Sequence, residues 1–107
     1  MMIVENPIGI QRKRVKGWRM PPNTVSVCRP GLWGNPYKFG PDEYYKNART
    51  SIIRYERDLI ILTLRDKTGI PLLHRTGELK GKNLACFCPI GSPCHRDILL
   101  KYANLED

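Results

Sequence analysis

Apolar and polar positions divide the chain into short strand-like runs, one long stretch of helical period, and segments too rich in breakers to be regular. Asn23–Arg29 (NTVSVCR) alternates, with Val25 and Val27 on one face and Ser26 and Cys28 on the other, and Pro30-Gly31 stops it. That predicts a short strand. Pro30–Gly40 holds three glycines and two prolines and reads as a loop. Tyr45, Ala48, Ile52, Tyr55, Leu59 and Leu62 then recur at spacings of three and four, with Asp42 and Glu43 ahead of them. The spacing predicts one long helix from about Pro41 to Asp66, its core face carrying Ile52, Leu59 and Leu62. Leu72–Lys82 is a connector with room for one helical turn before Gly77. Asn83–Cys88 (NLACFC) is apolar throughout, as a strand covered on both faces would be. Cys94–Asn104 completes the chain as a C-terminal helix with Ile98, Leu99 and Tyr102 as its buried stripe. The order strand, helix, strand, helix defines an α/β class, with a short, mainly parallel sheet and a right-handed crossover.

Residues 1–20 show neither period. They mix scattered apolar side chains with a basic run and end at Pro21-Pro22, so they are expected to form a basic N-terminal arm or an edge element of a single domain, 1–107. A chain of 107 residues with 41% hydrophobic content supports one modest core and no second one.

The net charge of +8 is concentrated at the front. Residues 1–40 carry seven basic side chains, among them Arg12, Lys13, Arg14, Lys16 and Arg19, against the single acid Glu5. Such a field favours anionic partners: nucleic acid along that run of five, or nucleotides and other phosphates. A solvated arm that aids solubility is the plain alternative.

No apolar run approaches the about 18 residues of a membrane span. MMIVENPIGIQRKRVKGW has no apolar core of signal-peptide length before its basic run. A cytoplasmic protein is the expectation. Cys28, Cys86, Cys88 and Cys94 are then expected as reduced thiols, metal ligands or reactive groups rather than disulfides.

Two loops carry the candidate chemistry. In an α/β fold, ligands bind beyond the carboxyl ends of parallel strands, and both loops leave such ends. In Arg29–Tyr37, Arg29 offers a forked cationic donor, Trp33 a flat face, Gly34 a close backbone approach, and Asn35 a donor–acceptor edge. A loop stiffened by Pro and Gly with Trp33 pinned to the core is the structural alternative. In Cys88–Asp97, Cys88, Cys94, His95, Arg96 and Asp97 gather at a helix start, where free amides and the dipole favour an anion. Cys94 as nucleophile, with His95 and Asp97 as an acid–base pair, are the catalytic candidates. Three readings of the cluster stay open: an anion pocket, a structural zinc site of Cys86, Cys88, Cys94 and His95, and buried thiols beside a satisfied histidine. No metal is expected, because Cys94 begins a helix and adjacent ligands such as Cys94 and His95 rarely reach one ion. No cofactor is expected either, zinc being the alternative.

Gly17-Trp-Arg-Met-Pro-Pro-Asn-Thr-Val, Arg29-Pro with Trp33-Gly-Asn-Pro-Tyr37, and Leu79-Lys-Gly-Lys-Asn-Leu-Ala-Cys-Phe-Cys-Pro with Pro93-Cys-His and Asp97 together resemble the family known as domain of unknown function 4326. The resemblance runs from about Arg12 to Asn104, with Phe87 and Arg96 where a Trp and an Ala are expected. The Cys94-His95-Arg96 helix start is also similar, locally and more weakly, to domain of unknown function 488. The first resemblance implies a bacterial or phage setting and supports a site without naming a reaction. Together with the charge it leads to an expected small nucleotide-like or ribose-phosphate ligand, bound, processed or sequestered between loops 29–37 and 88–97. The alternative is a zinc-stapled basic module that binds nucleic acid. Oligomeric state is left open.

Overall fold

The computed structural model describes residues 7–105, so residues 1–6 of the expected arm lie outside the described residues. It is an α/β domain with a three-stranded parallel sheet. The strands are β1 (Gly9–Gln11), β2 (Thr24–Ser26) and β3 (Asn83–Cys86), in the order β1-β3-β2. The last strand in sequence is therefore the central one, which explains its unbroken apolar character: Leu84, Ala85 and Cys86 are all buried. Pairing continues beyond the regular strands through Arg12 N–H to the Cys86 carbonyl (2.8 Å) and Val27 N–H to the Ala85 carbonyl (2.9 Å). The expected arm is thus an edge strand from Gly9, too short to show any alternation.

The long helix is shorter than its periodicity suggests. Helix α1 runs Ala48–Ile60, capped by Asn47, whose side chain accepts from the Thr50 amide at 2.9 Å. This cap, not the charges of Asp42 and Glu43, sets the start. The end follows from Leu62, which adopts the left-handed region at φ 66° and turns the chain away. The buried face is Ser51, Tyr55, Asp58 and Leu59, so the expected core placement holds for Leu59 and fails for Ile52 and Leu62. The connector contains a 3-10 helix, Leu72–Leu79, and the chain closes with helix α2, His95–Ala103, capped by Cys94. Helix α2 packs on β3, the 3-10 helix and α1, and buries Leu99 and Ala103 against Tyr55, Leu59, Leu79 and Leu84.

The carboxylate on the buried face of α1 is satisfied by Arg54 Nε at 2.6 Å and by the Tyr37 hydroxyl. Burial opposes its ionisation, but these two donors outweigh burial and hold Asp58 below the usual carboxylate range. Asp66 is pushed down to about 2, first by the Thr68 hydroxyl, then, against a counteracting desolvation, by the Ile70 and Thr68 amides and by Arg75. Both folded values lie below the unfolded ones. Their stabilisation is therefore present above about pH 4 and is lost as pH falls through the folded values. Thermal melts are expected to show the melting temperature falling between about pH 4 and about pH 2, with the lower part of that slope reduced in Asp66→Asn.

Candidate functional site

Three parallel strands end on one edge of the sheet, so the residues just after Gln11, Ser26 and Cys86 are brought together there. A cavity of about 280 Å³ opens at this edge. Arg14 reaches it from beyond β1, Cys28 and Arg29 from beyond β2, and Cys86, Phe87 and Cys88 from β3 and its loop. His95 of α2, Asn35, Tyr37, Phe39, Ile52 and Pro93 complete the lining. A wider groove of about 630 Å³ beside Pro30 and Leu32 is more open, and its one acid, Asp66, is already engaged by Thr68, Ile70 and Arg75.

Of the residues expected in the site, Arg29, Asn35, Cys88 and His95 meet in this cavity. Arg29 is exposed at the cavity. Asn35 serves the architecture. It donates to Ser51 Oγ at 2.8 Å and accepts from the Tyr37 amide at 2.9 Å, while Ser51 donates to the Tyr37 carbonyl. That ring stitches the loop to α1 and leaves little of the Asn35 side chain to read a ligand edge.

Trp33, Gly34 and Arg96 require correction. Trp33 is 6% exposed, within the core, and its carbonyl accepts from the Tyr55 hydroxyl at 2.9 Å. It presents no face for stacking; the pinned-loop alternative is the observed arrangement. At Gly34 the close approach is made by the chain itself, since a Cβ there would lie 2.7 Å from Arg29 Cα. Arg96 is 1% exposed and ties two segments together, donating from Nη1 to the Ile10 carbonyl (3.2 Å) and the Cys88 carbonyl (3.1 Å). A ligand in the cavity does not meet it.

The expected acid–base pair is also not formed. His95 Nε2 lies 2.5 Å from the Val27 carbonyl, which requires the proton on Nε2 and leaves Nδ1 facing Cys94 Sγ at 3.8 Å. Burial lowers the His95 pKa and keeps the ring neutral. Asp97 points outward, its carboxylate 57% exposed, with Arg96 Nε at 3.7 Å as its neighbour. Its amide closes the first turn of α2 on the Cys94 carbonyl.

The cysteines come closer than their sequence positions suggest. The sulfurs of Cys86, Cys88 and Cys94 all lie within 4.8 Å of one another, Cys86 and Cys88 at 3.8 Å, and all four cysteines are free thiols. The expectation that its place at a helix start keeps Cys94 from a shared metal set is corrected: its sulfur makes no capping hydrogen bond, although the Arg96 amide acts to lower its pKa, and it joins the other two. His95 is not part of this set, so the expected four-residue shell is not assembled. The three-cysteine cluster could hold a metal ion. As thiols, the three titrate together. The neighbouring Cys94 thiol, as hydrogen-bond donor, lowers Cys86 against the effect of burial, while the same interaction and burial raise Cys94. Burial raises Cys88. The neighbouring Cys86 and burial thus act on Cys94 against the activation expected from its place at a helix start.

Cys28, Tyr37, Phe39, Ile52, Phe87 and Pro93 were not singled out as ligand contacts by the sequence, and Arg14 was expected only as one of the five basic residues for nucleic acid. Arg14 is placed at the cavity by the strand before it. Its guanidinium lies 3.9 Å from the centroid of the Phe87 ring, and that of Arg12 lies at 4.6 Å. Two members of the basic run are thus drawn onto an aromatic side chain at the cavity.

Fold and site together define a small α/β domain with a cationic, thiol-bearing cavity at the carboxyl edge of its sheet. The chain belongs to the family described as Domain of unknown function (DUF4326), which matches residues 10–105. No curated protein and no solved structure matches it. Among the described residues no helix is long and apolar enough to cross a membrane.

Proposed function

We propose that the strand-end cavity binds a small anionic ligand of the nucleotide or ribose-phosphate class. The observation that carries this reading is its lining: Arg14 and Arg29 supply two cations and no acidic side chain is among the described residues around them. Tyr37 and Phe39 add aromatic surface for a planar group. At about 280 Å³ the space lies just below the usual range for ligand pockets, about 300–1,000 Å³, and suits one nucleotide-sized fragment rather than a dinucleotide. Binding is proposed without chemistry, because Cys94 is buried, His95 is committed to Val27, and Asp97 faces solvent.

The nucleic-acid alternative rests on Arg12, Lys13, Arg14, Lys16 and Arg19. Arg12 and Arg14 lie on Phe87, and Arg12 also donates to Ser26 Oγ at 3.1 Å, which favours a compact ligand over an extended phosphate backbone. Calorimetric titration with nucleoside mono- and diphosphates, ribose 5-phosphate and short oligonucleotides at two salt concentrations separates the readings. The expected result is saturable binding of a mononucleotide-sized anion. It should weaken about tenfold or more in Arg29→Ala with the melting temperature unchanged, since an exposed arginine contributes within about 0.5 kcal/mol to stability. Binding of oligonucleotides alone, with a steep salt dependence, would favour the second reading. No binding of any of them would remove the first.

A further inference from the structure

We propose that Cys86, Cys88 and Cys94 form a three-thiolate site for a thiophilic divalent ion, zinc first, with its fourth coordination position open to the strand-end cavity. The geometry is the first argument. A tetrahedral zinc with Zn–S of about 2.3 Å sets its sulfurs about 3.8 Å apart. Cys86 and Cys88 already stand at 3.8 Å, and Cys94 lies within 4.8 Å of both, so a modest rotation of its side chain closes the set. The pairing of sequence positions is the second. Cys86 ends β3 and Cys94 caps α2, so a shared ion would tie the strand to the helix across the loop between them. Ser, Thr, Asp and Asn are the residues that serve a helix start, and Cys94 makes no side-chain bond there. Its sulfur is instead turned to the other two.

The third argument separates this site from a closed structural one. Three sulfurs supply three of four tetrahedral positions, the ligand count of zinc centres that keep one place for water or a bound anion. Cys86 and Cys88 both line the cavity, which gives the fourth position its space. His95 does not take it: its Nδ1 faces Cys94 Sγ at 3.8 Å but is not among the ligand atoms that all lie within 4.8 Å of one another, so the ring stands outside the sulfur cluster. Three thiolates on a divalent ion leave one negative charge. The buried Arg96, bonded to the Cys88 carbonyl, and Arg14 and Arg29 at the cavity lie where they offset it. On binding, each protonated sulfur gives its proton to solvent, so affinity rises with pH.

The site does not depend on the anionic-ligand reading: zinc without a nucleotide, or a nucleotide without zinc, are separate results. The reduced, full chain is titrated with zinc under native mass spectrometry and with cobalt(II) by absorbance. One ion per chain is expected, with charge-transfer intensity of three thiolates and tetrahedral d–d bands that shift when imidazole or azide is added. Zinc should protect Cys86, Cys88 and Cys94 from alkylation and leave Cys28 reactive, a measurement that needs no variant. Cys86→Ser and Cys94→Ser are each expected to weaken binding beyond the about 10–100-fold of an outer-shell change, and Cys28→Ser to leave it unchanged. Absence of zinc binding, or equal alkylation of all cysteines with zinc present, would overturn the site. Cobalt bands insensitive to added imidazole and azide and abolished in His95→Ala would overturn the open position.

Discussion

Leu59→Ala is expected to cost about 2–5 kcal/mol of unfolding free energy, while Ile52→Ala and Leu62→Ala each cost about 1 kcal/mol or less. Leu59 is fully buried and lies in the cluster that joins α1 to Leu99 of α2 and Leu84 of β3, so truncation leaves a cavity in close-packed surroundings. Ile52 is half-buried at the strand-end cavity, already a place of open space. Leu62 follows the helix at φ 66°, where a branched side chain is strained, so Leu62→Gly is expected to be neutral or slightly stabilising. Urea unfolding of the four variants checks all three statements. A loss for Leu62→Ala equal to that for Leu59→Ala would mean that the buried face of α1 is wrongly placed.

That face also shows what the pattern of apolar residues can and cannot reveal. Tyr55 and Leu59 obey helical spacing and are buried, but their partners on the stripe are Ser51 and Asp58, which no hydrophobic pattern would select. Asp58 is tolerated because Tyr37 and Arg54 satisfy it, and Tyr37 comes from a loop on the other side of the helix start. Ile52 and Leu62 extend the apolar spacing without sharing the burial. Strand β3 was legible because a central strand is apolar on both faces, whereas β1 offers only Gly-Ile-Gln and draws its identity from pairing with β3. The meeting of the two loops was legible from the order of elements, since parallel strands end on one edge. Which side chains face the resulting cavity was not. Trp33 and Arg96 are polar-capable residues in breaker-rich or helix-start segments, and only tertiary packing turns them inward.

The second large effect is expected at Arg96, where a glycine and an arginine fit each other. Arg96→Ala is expected to cost about 2–4 kcal/mol, because it leaves the Ile10 and Cys88 carbonyls without their shared donor and empties the volume of a side chain only 1% exposed. The cost is held below a simple sum, since among the described residues Arg96 Nε has no hydrogen-bond partner, and truncation also removes that unmet donor. Gly9 explains how so large a side chain is accommodated. A Cβ at Gly9 would stand 2.8 Å from Arg96 Nε and 3.0 Å from its Cδ, although the backbone there lies outside the left-handed region and would otherwise accept alanine. Gly9→Ala is therefore expected to cost about 1–3 kcal/mol in the parent, as overpacking does. In the Arg96→Ala background the same change meets open space and should cost little, or stabilise an edge strand that glycine weakens. The double-mutant cycle is expected to give a coupling of about 1–2 kcal/mol, measured from urea midpoints at fixed slope. Effects that add to within about 0.5 kcal/mol would show that Arg96 is not held against Gly9.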